Sequence, residues 1–122
     1  MTKERTLQAS DLTQFTGTEQ WHRHGINRAV VFTDGAKYVA DTAGAWWLLD
    51  EIAIIQLHNR RIAGEAFQVW KLIVHDDRSA ALTCDDGNGT VVYTKRIPFT
   101  DFPLEEITFY FTDNVILLPC EY

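Results

Sequence analysis

Cysteine is scarce in this sequence. Cys84 and Cys120 are the only two in 122 residues, and they share no CxxC spacing. That excludes a disulfide-dense scaffold, and no redox or metal-binding thiol pair is present. No apolar run approaches the ~18–20 residues that a membrane span requires, so none is expected. No Lys or Arg follows Arg96. A serine nucleophile elbow, a phosphate loop and a dinucleotide fingerprint are all missing, since Gly17-Thr18 and Gly35 stand alone. No internal repeat or low-complexity segment is present. The opening Met1-Thr2-Lys3-Glu4-Arg5 leads into a polar stretch with no signal-peptide pattern. The expected location is therefore the cytoplasm, with both thiols reduced.

What is present is ordinary globular material. Hydrophobic residues make up 46% and charged residues 23%, close to average. The length suits one domain, large enough to need no disulfide or metal for stability. The expected organisation is a polar N-terminal segment over 1–15, carrying one short helix, and a single α+β domain over 16–122. The net charge is −6, and it is unevenly placed. Asp101, Glu105, Glu106, Asp113 and Glu121 lie beyond the last cation, so the C-terminal stretch carries most of it. Nucleic-acid binding needs clustered cations, and none is expected here. The acidic stretch reads as a solubilising surface, with a basic partner as the alternative.

The expected elements follow from periodicity. Residues before about Ala9 are polar and read as loose. A short turn over Ser10–Phe15 has Ser10 or Asp11 as its cap and Leu12 with Phe15 as its anchor, and Thr16-Gly17-Thr18 ends it. Gln20–His24 and Arg28–Thr33 are short strands about a Gly25-Ile26-Asn27 turn. Asp34-Gly35 reads as a tight turn, and Lys37–Ala40 as extended chain. One main helix is expected from about Ala43 to His58, with Asp41 or Thr42 as its N-cap. Ala45, Leu48, Leu49, Ile52, Ile55 and Gln56 fall on one face at spacings of three and four. Trp46, Ala53 and Leu57 widen that face. The opposite side carries Trp47, Asp50, Glu51, Ile54 and His58, so even the polar side holds two large apolar groups. Asn59-Arg60-Arg61 set cations at the helix C-terminus, where the dipole favours them.

Strands follow. Phe67–Val74 puts Trp70, Leu72 and Val74 on a core face. Ala80, Leu82 and Cys84 alternate along a second strand, and Asp86-Gly87-Asn88-Gly89 signals a hairpin. Val91, Tyr93 and Ile97 mark a third, Ile107, Phe109 and Phe111 a fourth, and Val115–Leu118 follows an Asp113-Asn114 turn. Short turns impose antiparallel pairing. The fold class is thus α+β: an antiparallel sheet of about five to six strands packed on one main helix.

Several segments together carry a family resemblance: Thr16-Gly17-Thr18-Glu19-Gln20-Trp21-His22-Arg23-His24, Thr33-Asp34-Gly35-Ala36-Lys37-Tyr38, Ala43-Gly44-Ala45-Trp46-Trp47-Leu48-Leu49-Asp50, and Ile116-Leu117-Leu118-Pro119. From about Thr16 onward the chain resembles a family of small uncharacterised bacterial proteins, often associated with phages, plasmids and other mobile DNA. That resemblance implies a bacterial, intracellular accessory protein. It assigns no activity and no site residues.

Four chemical leads stand beside plainer readings. His22 and His24, two apart on an extended segment, face the same way and suit one metal, with Asp34, Asp41, His58 or His75 as a third ligand. The plainer reading is two hydrogen-bonded histidines, and no metal or other cofactor is assigned. His75-Asp76-Asp77 suits an acid–base couple or, more simply, a solvated turn. Asp85-Asp86-Gly87-Asn88-Gly89 fails as a calcium loop, because Tyr93 stands where a closing Glu is needed. Cys84 reads as a small core residue, and Cys120 is open.

Trp47 and Ile54 provide the fifth lead. Exposed, they form an apolar patch suited to a protein partner or a second copy. Covered by the N-terminal segment, they are core. The favoured expectation is a non-enzymatic interaction or self-associating module using Trp47 and Ile54. The alternatives are a small metal-dependent enzyme using His22 and His24, and an acidic decoy of a nucleic-acid-binding surface.

Overall fold

The computed structural model describes residues 7–14 and 20–122. The expected anchor Phe15 and the Thr16-Gly17-Thr18 break lie outside them. Among the described residues the chain forms a seven-stranded, mostly antiparallel sheet with three α-helices, so the sheet is wider than the expected five to six strands. A 3-10 helix over Ala9–Gln14 comes first, where one short turn was expected. Its Asp11 carboxylate reaches back to the amide N–H of Gln8 at 3.0 Å. Leu7, expected in a loose polar stretch, is buried in the core instead.

Strands β1 (Trp21–Arg23) and β2 (Val31–Thr33) lead directly into helix α1 (Asp34–Ala43). Here the expectation of extended chain over Lys37–Ala40 fails. Thr33 is extended (φ −83°, ψ 171°), and its hydroxyl accepts the Ala36 N–H, an N-cap that starts the helix at Asp34, where a tight Asp34-Gly35 turn was expected. The missed signal is the spacing of Gly35, Ala36, Val39 and Ala40, all buried on one face. Gly44 then adopts the left-handed conformation (φ 62°) that closes α1. The single helix expected from about Ala43 therefore divides, and α2 runs Trp46–His58.

Neither Asp41 nor Thr42 caps α2. Its N-cap position is Ala45, with no side-chain cap, and Asp41 sits in the last turn of α1. There the Asp41 carboxylate accepts from Lys37 Nζ at 2.6 Å and Trp46 Nε1 at 3.2 Å. Helix α2 buries Leu48, Leu49, Ile52 and Ala53. Trp46 and Leu57, expected to widen that face, are exposed. Asn59 breaks the helix and caps a short α3 (Arg60–Ala63) through the Ile62 N–H at 3.1 Å.

The remaining strands are β3 (Phe67–Val74), β4 (Ala80–Asp85), β5 (Val91–Ile97), β6 (Glu106–Thr112) and β7 (Val115–Leu117), followed by a 3-10 helix over Pro119–Glu121. Their spatial order is β1-β2-β7-β6-β3-β4-β5. Trp70 lies at the centre, flanked in register by Phe109 on β6 and Cys84 on β4. The expected core row is buried over Trp70 and Leu72 on β3 and throughout on β4 and β6, but Val74 is half-buried and Val91, at the start of β5, is exposed. The turns follow their chemistry. Gly87 and Gly89 take positive φ, and Asp113 and Asn114 do the same, as a two-residue hairpin turn requires.

One pairing departs from the antiparallel expectation. Strand β2 runs parallel to β7, with Phe32 beside Ile116. No short turn joins these strands, and the intervening elements form the crossover that parallel pairing needs.

A buried amide fastens the helices to the sheet. Gln68 is fully buried on the core face of β3. Its carbonyl accepts from Trp70 Nε1 at 2.9 Å and Gln56 Nε2 at 2.8 Å. Its amide donates to the Ile62 carbonyl at 2.7 Å and to Gln56 Oε1 at 3.0 Å. At the other end of the sheet, the Glu121 carboxylate accepts from Thr33 Oγ1 at 2.6 Å, Gly35 N–H at 3.1 Å and Leu118 N–H at 2.9 Å.

Candidate functional site: the Trp47 surface

Helix α2 lies beside β5, one of the two edge strands of the sheet, with Glu51 reaching Tyr93 and Lys95. Trp47 lies half-buried where two grooves meet between them. One, of about 390 Å³, is lined by Trp47, Glu51, Ile97 and Phe99 among others. The second, of about 350 Å³, holds Trp47, Asp50, Ile54, His58 and Tyr93. Ile54 is half-buried like Trp47, so the structure brings the two expected contact residues to one surface. Sequence reasoning missed Phe99, 68% exposed at the mouth of the first groove. Its place in a proline-flanked connection carried no periodic signal.

Glu51 ties the helix to the strand beneath it. Its carboxylate accepts from Tyr93 Oη at 3.2 Å and Lys95 Nζ at 2.8 Å. Burial, reinforced by that carboxylate, pushes the Tyr93 phenol up from its ordinary value. The hydrogen bond to Glu51 holds the Lys95 proton more tightly in the same way. Strand β5 leaves its outer backbone edge unpaired within the sheet, but Lys95 and Arg96 are exposed on it and a register shift interrupts its pairing with β4. Charged residues and bulges protect an edge from strand addition. The side chains above the edge, rather than the edge itself, are therefore the available surface.

The histidines separate. His22, stacked on Phe32 at 5.5 Å, meets Asp34 with Nε2–Oδ1 at 2.9 Å. His24 is buried and meets a different carboxylate, Asp50, at 2.8 Å. His24 Nδ1 accepts the backbone N–H groups of Ile26 at 3.2 Å and Asn27 at 3.0 Å. That assigns the ring hydrogen to Nε2, which donates to Asp50, and leaves neither nitrogen open. Asn27 Nδ2 adds a bond to the Ala53 carbonyl at 2.8 Å. The His24–Asn27 loop is thereby pinned along α2. Among the described residues no group of three or more His, Cys, Asp and Glu side chains is placed to hold a metal ion.

The other leads resolve into structure. Asp77 closes its turn by accepting from Ser79 N–H at 2.9 Å and Ser79 Oγ at 2.6 Å, and those bonds hold its carboxyl below the usual value. Asp86 Oδ1 accepts the Asn88 and Thr90 amides, so the 85–89 segment spends its acids on hairpin bonds. Cys84 is buried, and burial pushes its thiol up to about 12. Cys120 is exposed, but desolvation and Glu121 raise its thiol as well. Neither thiol has the lowered pKa of an activated nucleophile. Of the five acids beyond Arg96, four are exposed while Glu121 turns inward onto α1. No described helix is long and apolar enough to cross a membrane.

No curated protein and no solved structure gives a significant match. A family model does match, over residues 6–122, nearly the whole chain. The chain therefore belongs to DUF6876, a family of unknown function.

Proposed function

We propose that this protein is a non-enzymatic, cytoplasmic accessory module that works by protein association through the Trp47–Ile54 surface. One observation carries the reading: a half-buried tryptophan at the junction of two apolar-floored grooves, on a helix whose polar side also carries Ile54. Large aromatic side chains in such settings anchor protein interfaces because they bury much area at little conformational cost. The histidines support the same reading, since each is spent on a separate carboxylate.

The test labels the chain with 5-fluorotryptophan, assigns the Trp47 resonance through Trp47→Phe, and adds a soluble gadolinium chelate. A broadened Trp47 resonance, quenched further than that of core Trp70, is expected. A Trp47 resonance as protected as that of Trp70 in the monomer overturns the proposal.

A further inference from the structure

The turn between β1 and β2 is built around one ring nitrogen. His24 is buried, and its Nδ1 accepts the backbone N–H groups of Ile26 at 3.2 Å and Asn27 at 3.0 Å. Two backbone bonds close the turn. His24 N–H donates to the Val30 carbonyl at 2.9 Å, and Val30 N–H donates to the Asn27 carbonyl at 3.0 Å. Asn27, also buried, then holds the turn to α2 through the Ala53 carbonyl.

This arrangement is complete only for a neutral ring. A neutral imidazole has one donor and one acceptor nitrogen, whereas an imidazolium has two donors. Nε2 already donates to Asp50 at 2.8 Å, so a second proton must go to Nδ1, where it meets two N–H donors. Turning the ring over gives no relief, because either nitrogen then carries a hydrogen. Among the described residues no acceptor faces Nδ1. The charged groups nearby come from three elements. On α2, Asp50 attracts a charged ring but lies on the Nε2 side, and Glu51 is committed to Tyr93 and Lys95. On β1, His22 is committed to Asp34. Arg23 and Arg28 flank the turn, with Arg23 donating to the Arg28 carbonyl.

We propose that the His24–Val30 turn is a proton-operated latch, in which a proton taken up at His24 Nδ1 breaks the Ile26 and Asn27 bonds and lets the turn swing off α2. The closed turn excludes a proton that the open turn accepts. Opening is therefore favoured as pH falls, by at most about tenfold per pH unit for one proton. The window is the range in which imidazoles change charge, from about pH 8 to about pH 5. Opening frees Ile26, already 63% exposed, and removes the Asn27 tie to Ala53. Strand β1, a three-residue edge strand, loses the anchor at its inner end. The latch stands whether or not the Trp47 surface is an interface.

Amide hydrogen exchange of the full chain, followed residue by residue by NMR across that pH range and divided by the rates of an unstructured chain, tests this. The protection of Ile26 and Asn27 should fall together with pH, by up to about tenfold per unit, while Trp70 and Leu72 at the sheet centre keep theirs. Imidazole nitrogen shifts should show His24 gaining its second proton over the same range. Asp50→Asn keeps an acceptor for Nε2 but removes the charge that attracts an imidazolium, so opening should need a lower pH. His24→Asn sets an amide oxygen near the place of Nδ1 that takes up no proton, and protection should then be independent of pH. Flat protection in the unaltered protein overturns the proposal. So does an imidazolium at His24 with both amides still protected, or a loss shared with Trp70 and Leu72. A fall that persists in folded His24→Asn overturns it as well. The measurements on the unaltered protein decide the matter whether or not either variant folds.

Discussion

Replacing Gln68 by Leu should destabilise this protein, although Leu fits the site in size and the core around it is apolar. Gln68 is fully buried, as are Trp70 and Ile62, two of its partners. Without the amide, Trp70 Nε1–H loses its partner at 2.9 Å, while the Ile62 carbonyl keeps the Glu65 N–H at 2.9 Å. Gln56, half-buried, can turn to solvent. The orphaned buried indole N–H costs about 1–3 kcal/mol. The added apolar burial of Leu returns about 1–2 kcal/mol. The net loss is roughly 1 kcal/mol, against a total of about 6–18 kcal/mol for a chain this long. At about 2.1 cal/mol/K per residue that lowers Tm by roughly 4 °C. Urea melts followed by circular dichroism give the number, and Trp70→Phe in the Gln68→Leu background tests the cause. Removing the stranded indole N–H should make the double variant less destabilised than the two single losses added together. A Gln68→Leu protein within about 0.5 kcal/mol of the parent, or strict additivity with Trp70→Phe, would show that the amide network is not what holds α2 and α3 to β3.

Gly35→Ala should destabilise the protein, although Ala is the better helix former by about 1 kcal/mol. The new Cβ would stand 2.5 Å from Glu121 Oε1 and 2.8 Å from Leu118 Cδ1, so the carboxylate must leave its three donors. Thermal melts should show the loss, and a Glu121→Ala background should shrink it. With a maleimide reagent Cys120 should label in the folded protein while Cys84 reacts only on unfolding, and mass spectrometry before and after guanidinium distinguishes them. Tyr93 and Lys95 both hold their protons more tightly when folded, so their contribution is complete below their ordinary values of 10.0 and 10.5 and is lost as pH rises through the raised ones. The alkaline fall in stability should be shallower in Glu51→Gln, as pH-dependent melts between 8 and about 12 would show.

Much of the sheet was legible because alternation is a local property. Trp70-Leu72, Leu82-Cys84 and Phe109-Phe111 announce a buried row without reference to anything distant. Gln68 was missed from that row because its polarity reads as surface until its partners Gln56, Ile62 and Trp70, drawn from α2, α3 and β3, are in place. Helix α1 was missed for a comparable reason. Asp34-Gly35 is good turn chemistry in isolation, and only the arrival of Glu121 from the far end of the chain explains a glycine inside a helix. The candidate surface was half legible. Helical periodicity exposed Trp47 and Ile54 as misplaced apolar groups, but the separate carboxylate partners of His22 and His24 depend on α1 and α2 lying side by side.

The parallel ladder between Phe32 and Ile116 dictates the timing of assembly. On the ribosome, β1 and β2 emerge early yet can join the main sheet only once Val115–Leu117 has left the exit tunnel. The β3–β4–β5 meander has its mates close at hand and can zip first. Nearly the whole chain must therefore be synthesised before the first strands are secured, a closure over long sequence separation that makes folding slow and leaves the nascent N-terminal third in need of shielding.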